Sequence, residues 1–113
     1  MKSVITTHIL DTHKGRPAAN VEVSLYQWQQ DGWQHMASAQ TDDDGRITDW
    51  LGDRQREQGL YRLTFATAEY FSHQGVISLY PQVDIHFQIE NADEHYHIPL
   101  LLSANGYSTY RGS

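Results

Sequence analysis

Through most of the chain apolar residues alternate with polar ones, and Gly, Asn and Asp separate the alternating runs at short intervals. In Val83-Asp84-Ile85-His86-Phe87-Gln88-Ile89 every odd position is apolar, as in Val21-Glu22-Val23-Ser24-Leu25 and Tyr61-Arg62-Leu63-Thr64-Phe65. A period of two sends successive side chains to opposite faces of a strand, so each run has one face to bury and one to leave in water. Many such runs at close spacing predict an all-β fold, an antiparallel two-sheet sandwich of seven to eight strands. Asp44-Gly45 predicts a two-residue hairpin turn with both positions at positive φ, after which Arg46 opens a strand. Between the runs, the pattern predicts one short helix. Thr67 is its expected cap, Glu69 sits in the first turn where the helix dipole favours an anion, and Gly75 ends it. With no internal repeat, low-complexity tract or linker, residues 1–113 read as a single domain.

Composition narrows the function. The chain has 113 residues, 39% hydrophobic and 19% charged, which suits a packed core and not a disordered chain. Cys is absent, which excludes disulfides, thiol nucleophiles and Cys-ligated zinc. Eight Lys and Arg against 14 Asp and Glu give a net charge of -6, with no basic run to follow a phosphate backbone, so nucleic acid is excluded as a partner. Met1-Lys2-Ser3 leads straight into the alternating Val4–Leu10 segment, without the apolar stretch of a secretory leader or a membrane span. The expected compartment is the cytoplasm, or the periplasm for a chain whose leader has been removed.

Along Val4–Leu10, Ile5 and Ile9 share one face and Thr6 and His8 the other, so His8 leaves the core on a rigid strand. The same parity puts His95 and His97 on one face, opposite Tyr96, Ile98 and Leu100. Two imidazoles at i and i+2 have the spacing of a metal pair, for which His8, Asp11, His13 or His86 would supply the third ligand. Solvated histidines are the simpler reading, and no metal site is assigned. His13, His35 and His73 read as surface residues. Trp28, Trp33 and Trp50, with Tyr26 and Tyr61, read as core or interface packing, since an acidic chain lacks the cations that accompany stacked bases. Asp42-Asp43-Asp44 reads as a solvated turn. The end of the chain, Gly106 to Ser113, gathers aromatic, hydroxyl, guanidinium and carboxylate groups that an ordered tail would deliver to one place, or that an edge strand would carry to another subunit.

Five stretches together carry a resemblance. Thr7-His8-Ile9-Leu10-Asp11, Gly15-Arg16-Pro17-Ala18, Asp44-Gly45-Arg46-Ile47, His95-Tyr96-His97-Ile98-Pro99-Leu100-Leu101-Leu102-Ser103 and Tyr110-Arg111-Gly112-Ser113 occur in that order over the whole chain. In these the sequence resembles the 5-hydroxyisourate hydrolases, the transthyretin-like proteins of purine degradation. The resemblance implies two four-stranded antiparallel sheets with a short helix, and a homotetramer, a dimer of dimers, with active sites in clefts between dimers. It implies hydrolytic opening of 5-hydroxyisourate to 2-oxo-4-hydroxy-4-carboxy-5-ureidoimidazoline, with no metal or organic cofactor. The family's catalytic positions fall on His8, Arg46 and His97, and its signature tail on Tyr110, Arg111, Gly112 and Ser113. The chain departs from the family at Ala104-Asn105, where Pro and an aromatic residue are more usual, a change that bears on the approach to the last strand.

What the resemblance implies chemically is a water made nucleophilic, a stabilised oxyanion and a proton for the leaving nitrogen. One of His8 and His97 then serves as general base and the other as its hydrogen-bonding or acid partner. Arg46 holds substrate oxygens and supports charge on the attacked carbonyl. Tyr110 and Arg111 contact the substrate ring, and Ser113 orients water or a histidine. The competing reading is a non-catalytic small-molecule carrier, since transthyretin uses this architecture to bind thyroid hormones. A channel lined by His8, Arg46 and His97 is poorly suited to an apolar hormone.

Overall fold

The computed structural model describes residues 3–51 and 57–113, so Met1 and Lys2 of the N-terminal reading lie outside it. In chain order the elements are β1 (Ile5–Asp11), β2 (Arg16–Pro17), β3 (Glu22–Gln29), β4 (Gly32–Gln40), β5 (Arg46–Ile47), β6 (Gly59–Phe65), α1 (Thr67–Ser72), β7 (Val83–Ile89), β8 (Tyr96–Ser103) and β9 (Gly106–Thr109). Two sheets face each other, one ordered β2-β1-β8-β9 with β5 also on β1, the other β4-β3-β6-β7. This is the expected sandwich, with seven strands of four residues or more and two of only two residues among the described residues.

One pairing differs from an all-antiparallel plan. β1 and β8 run parallel over seven residue pairs, from Ile5↔Tyr96 to Asp11↔Leu102. Parallel neighbours need a long crossover, and here that crossover is the whole second sheet.

The alternation decides which side chains meet between the sheets. Ile5 and Ile9 of β1 and Leu100 and Leu102 of β8 are buried against Val23 and Leu25 of β3, Leu63 and Phe65 of β6, and Val83 and Ile89 of β7. Each such side chain contributes about 1.5–3 kcal/mol when withdrawn from water. A one-residue slip of β1 would exchange Ile5 and Ile9 for Thr6 and His8, so the core itself fixes the face on which His8 stands.

Two local expectations are corrected. Only Gly45 of the Asp44-Gly45 pair has positive φ, at 74°. The turn is a longer loop in which the Gly45 amide donates to the Asp42 carbonyl at 2.9 Å and the Asp42 amide donates to the Arg46 carbonyl at 3.0 Å. The Asp42 side chain explains why: Oδ1 accepts from the amides of Asp44 and Arg46, both at 2.9 Å, and holds the loop open by one more residue. Likewise Thr67 is the first helical residue and not the cap. Ala66 stands at the cap without a side-chain hydrogen bond, Thr67 is buried, and the helix ends at Ser72, three residues before Gly75.

The aromatic residues divide. Tyr61 is buried and Trp50 donates through Nε1 to the Ile5 carbonyl at 2.9 Å, as packing residues do. Tyr26 and Trp33 instead flank the Arg62 guanidinium, 4.2 and 4.7 Å from their ring centroids, with Trp28 exposed beside Trp33. Cation–π contact with an arginine of its own sheet accounts for their position outside the core.

Candidate functional site

The outer face of the β1–β8 sheet carries two rows of side chains. Arg46 opens β5 directly opposite His8 of β1 in antiparallel register, and on its other side His8 is level with Pro99 of β8. One row along, Thr6 of β1 is level with His97 of β8, and His97 bridges to Gly112 in the tail. Two residues along a strand separate the rows by about 6.6 Å. Four segments far apart in sequence therefore converge on one surface.

Each position has a local cause. Arg46 is delivered by its loop, where Gly45 cannot be replaced cheaply: a Cβ there would lie 2.5 Å from the Ile9 carbonyl oxygen. That close approach lets the Gly45 carbonyl accept from the Ile9 amide at 2.8 Å, which ties the loop to β1 beside His8. The Asp42-Asp43-Asp44 run is exposed, as expected of a solvated turn, and serves to order this loop.

His8 is half-buried, and its pKa lies below the usual 6.5. Burial is the main cause, and the Arg46 guanidinium adds to it by repelling a second positive charge. The Asp44 backbone beside the ring, and the carboxylates of Asp42 and Asp44, act in the opposite direction. The balance leaves His8 a neutral imidazole at neutral pH. A neutral imidazole keeps a lone pair on one of its two ring nitrogens.

His95 and His97 do share a face, and their rings lie nearly parallel with centroids 6.3 Å apart. Between them sits a residue that strand parity alone does not single out. The Thr6 hydroxyl is 3.0 Å from His95 Nε2 and 2.8 Å from His97 Nδ1. Thr6 lies on the polar face of β1 yet is only 1% exposed, because the two imidazoles cover it. No sequence-local signal marks it, since the partners are 89 and 91 residues away.

The other candidate metal ligands stand elsewhere. Asp11 is buried and accepts from the Tyr70 hydroxyl at 2.6 Å and from the amides of His13 and Lys14, while His13 is exposed on that turn. His86 belongs to the other sheet, beside Trp33. Among the described residues no three such side chains gather as a metal-binding group.

The tail is ordered along β8, and it splits between two sides. The Gly112 amide donates to the His97 carbonyl at 2.8 Å, and a Cβ on Gly112 would lie 2.5 Å from His97 Cδ2. Gly112 thus lies against the imidazole. Arg111 turns the other way, to Glu94 at 3.0 Å, with its guanidinium 4.5 Å from the centroid of Tyr96, a residue of the core-facing row. Tyr110 and Ser113 are exposed at the chain end. Within one chain, His8, Arg46, His97, Thr6 and Gly112 are brought together, and Arg111 is not. The cavity walled by Asp11, His13, Phe71, Gln74 and Asn105 shares no residue with this face.

Comparison with known proteins agrees with the fold and the motifs. The profile of the HIUase/Transthyretin family matches residues 5–112. A 5-hydroxyisourate hydrolase of Salmonella dublin is 42% identical over 111 residues, covering 98% of this chain and 82% of its own length. Among solved structures, the 5-hydroxyisourate hydrolase of Klebsiella pneumoniae superposes with a TM-score of 0.85 at 36% identity, covering 96% of this chain and 97% of that one. Sea bream transthyretin, solved with thyroxine, superposes with a TM-score of 0.92 at 31% identity, over 97% and 95% of the two chains. With a profile match over nearly its whole length and relatives this similar, the chain belongs to the HIUase/Transthyretin family.

Proposed function

We propose that the protein is a 5-hydroxyisourate hydrolase acting in urate degradation. The observation that carries this reading is the register that sets Arg46 opposite His8 on the same face as His97. His8, neutral and with a ring lone pair, takes a proton from water as the water oxygen attacks a ring carbonyl of the substrate. Arg46 stays cationic and supports the negative charge that builds on the carbonyl oxygen. Collapse of the adduct breaks the carbon–nitrogen bond, and His97 gives the leaving nitrogen its proton. Solvent returns the proton from His8 to His97, and one water is consumed per ring opened.

The substrate ring contacts of Tyr110 and Arg111, and the orienting role of Ser113, belong to an assembled site. Arg111 faces away from His97 in its own chain, which favours a contribution to a cleft shared with another copy. A homotetramer, a dimer of dimers, fits the exposed edges of β7 and β9 and the apolar side chains near them. Ile77 is 92% exposed and Leu79 67%, far beyond what an isolated surface favours. Residues 1–113 act as one domain in each copy. No helix among the described residues is long and apolar enough to cross a membrane, and a cytoplasmic setting is part of the same proposal.

The carrier reading fares worse on chemistry. An apolar hormone would meet an imidazole pair and a guanidinium where a carrier presents aliphatic groups. The test is direct: 5-hydroxyisourate is generated in place from urate with urate oxidase, and its ultraviolet decay is followed with and without the protein. Faster decay in proportion to protein supports the hydrolase, and an unchanged decay rate rejects it.

A further inference from the structure

We propose that the outer face of the β4-β3-β6-β7 sheet binds a small molecule that carries a carboxylate on a flat apolar ring, with Arg62 as its anchor. The site lies on the other sheet from His8 and Arg46 and does not depend on the hydrolase reading.

Register builds the site. Arg62 of β6 is level with Tyr26 of β3 on one side and with His86 of β7 on the other. The Tyr26 ring centroid is 4.2 Å from the guanidinium carbon. Trp33 reaches over from β4, its ring 4.7 Å from the same carbon and 5.5 Å from the His86 ring. Trp28 stands against Trp33 at 5.2 Å and is 43% exposed. One guanidinium thus sits among aromatic rings on an open sheet face. The proposed assembly uses the edges of β7 and β9 and the outer face of the other sheet, so this face stays open in every copy.

Aromatic rings offset the charge of a guanidinium but are weak acceptors for its N–H groups. Arg62 Nε is shut off from water without a hydrogen-bond partner, and no carboxylate among the described residues pairs with the guanidinium. In a chain with 14 Asp and Glu against 8 Lys and Arg, a cation left without a carboxylate stands out. Two positions along the same face of β6, about 6.6 Å away, the Thr64 hydroxyl is also buried without a partner. Asp84 is level with Thr64, but its oxygens face Gln82 Nε2, both at 3.3 Å. Unpaired buried polar groups are destabilising, so two on one face point to an oxygen-bearing guest that this chain does not itself supply.

The guest follows from the groups that would meet it. Two carboxylate oxygens match two N–H groups of the planar fork, whereas an ammonium is repelled by it. A flat ring on the same molecule lies against the exposed Trp28. Trp33 covers Arg62 Nε from an edge strand, and turning its ring aside opens the way to that nitrogen.

The experiment titrates the intact protein, labelled with nitrogen-15, and follows the Arg Nε–H and Trp Nε1–H signals. 3-Phenylpropionate should shift Arg62, Trp28 and Trp33 together along one saturable curve at millimolar concentration. Trp50, which donates to the Ile5 carbonyl in the other sheet, should not move. The cationic counterpart 3-phenylpropylamine should give no saturable shift, and acetate, which lacks the ring, should bind about fivefold or more weakly. Arg62→Gln should weaken 3-phenylpropionate about tenfold or more, and Trp28→Ala about threefold or more, without weakening acetate. If Arg62→Gln does not fold, Arg62→Lys, which keeps the charge and loses the fork, should show the same loss. No saturable shift, an equal response to the amine or to acetate, or an Arg62 variant that binds like wild type overturns the proposal. An acetylated triglutamate peptide that binds as tightly as 3-phenylpropionate also overturns it, and assigns the face to an acidic protein segment.

Discussion

Gly112 lies so close against His97 that a single added methyl would reach 2.5 Å from the imidazole Cδ2 and 3.2 Å from Pro99 Cγ. The tail glycine is needed for its lack of a side chain, not for an unusual backbone. Gly112→Ala should therefore push the tail off β8 or turn the His97 ring. We expect kcat to fall about tenfold or more while the melting temperature moves by only a few degrees, because the tail adds little to the core. Steady-state kinetics beside a thermal melt separates the two, and an alanine variant with wild-type kcat would detach the tail from the site.

The register that puts Arg46 opposite His8 makes a second expectation. Arg46 is exposed, so Arg46→Ala should leave folding within about 0.5 kcal/mol of wild type. His97→Asn keeps a polar group of similar size on the strand face. Each should cost roughly 10²-fold or more in turnover, the scale of a lost electrostatic or acid–base group. Residual activity within a few-fold of wild type would remove that residue from the mechanism.

Much of this arrangement is legible in the sequence, and the limits have physical causes. Strand parity places His8 on the outer face, keeps His95 with His97 and buries Ile5, Ile9, Ile98 and Leu100, because a period of two is a local property. Parity does not say which strands are neighbours. The parallel β1–β8 pair joins residues about ninety positions apart, and without it Thr6 reads as one more solvent-facing polar residue. Asp44-Gly45 does not close a two-residue hairpin, because the Asp42 side chain competes for the loop amides, a contact that the dipeptide alone does not signal. Arg111 belongs to the tail motif, yet Glu94 and the Tyr96 ring draw it to the other side of β8.

His8 should titrate below 6.5, with burial the larger cause and Arg46 the second. Removing the cation by Arg46→Gln should raise the His8 midpoint toward 6.5, while Asp42→Asn should lower it further. The sign for stability follows. The unfolded chain takes up a proton on His8 at a higher pH than the folded chain does, so this histidine favours the folded state above 6.5. That contribution is lost as pH falls from 6.5 through the lowered value. The acid limb of kcat/KM should share the lowered midpoint, since His8 must be neutral to accept a proton. Ring-proton chemical shifts against pH check this, and a midpoint above 6.5 in the wild type would contradict it.

Gly45 holds the loop that presents Arg46, and both its φ of 74° and the 2.5 Å approach to the Ile9 carbonyl oxygen reject a side chain. Gly45→Ala should cost about 1–3 kcal/mol of stability, since the backbone of β1 cannot yield as a flexible side chain would. It should also lower turnover more than the lost stability explains, because the Ile9–Gly45 hydrogen bond that seats Arg46 beside His8 is broken. Denaturant unfolding and kinetics on the folded fraction distinguish the two effects. Full turnover per folded molecule would mean that Arg46 reaches its place without this anchor.

The last expectation concerns the far end of the same strand, where the Tyr70 hydroxyl of α1 donates to Asp11 Oδ2 at 2.6 Å. Burial, then the bond to Asp11, pushes the Tyr70 pKa up from 10.0 to about 12. The phenol must be neutral to donate, so the contribution is fully present below pH 10 and is lost as pH rises from 10 through about 12. Tyr70→Phe removes the donor and leaves Asp11 Oδ2, on a side chain only 1% exposed, short of a partner. The variant should lose about 1–3 kcal/mol at neutral pH and should lack the wild type's decline in stability between pH 10 and 12. Because α1 packs away from His8 and His97, kcat at neutral pH should be unchanged. Denaturant midpoints measured at pH 7 and pH 11 decide it: an equal alkaline loss in both proteins would assign that decline to some other group.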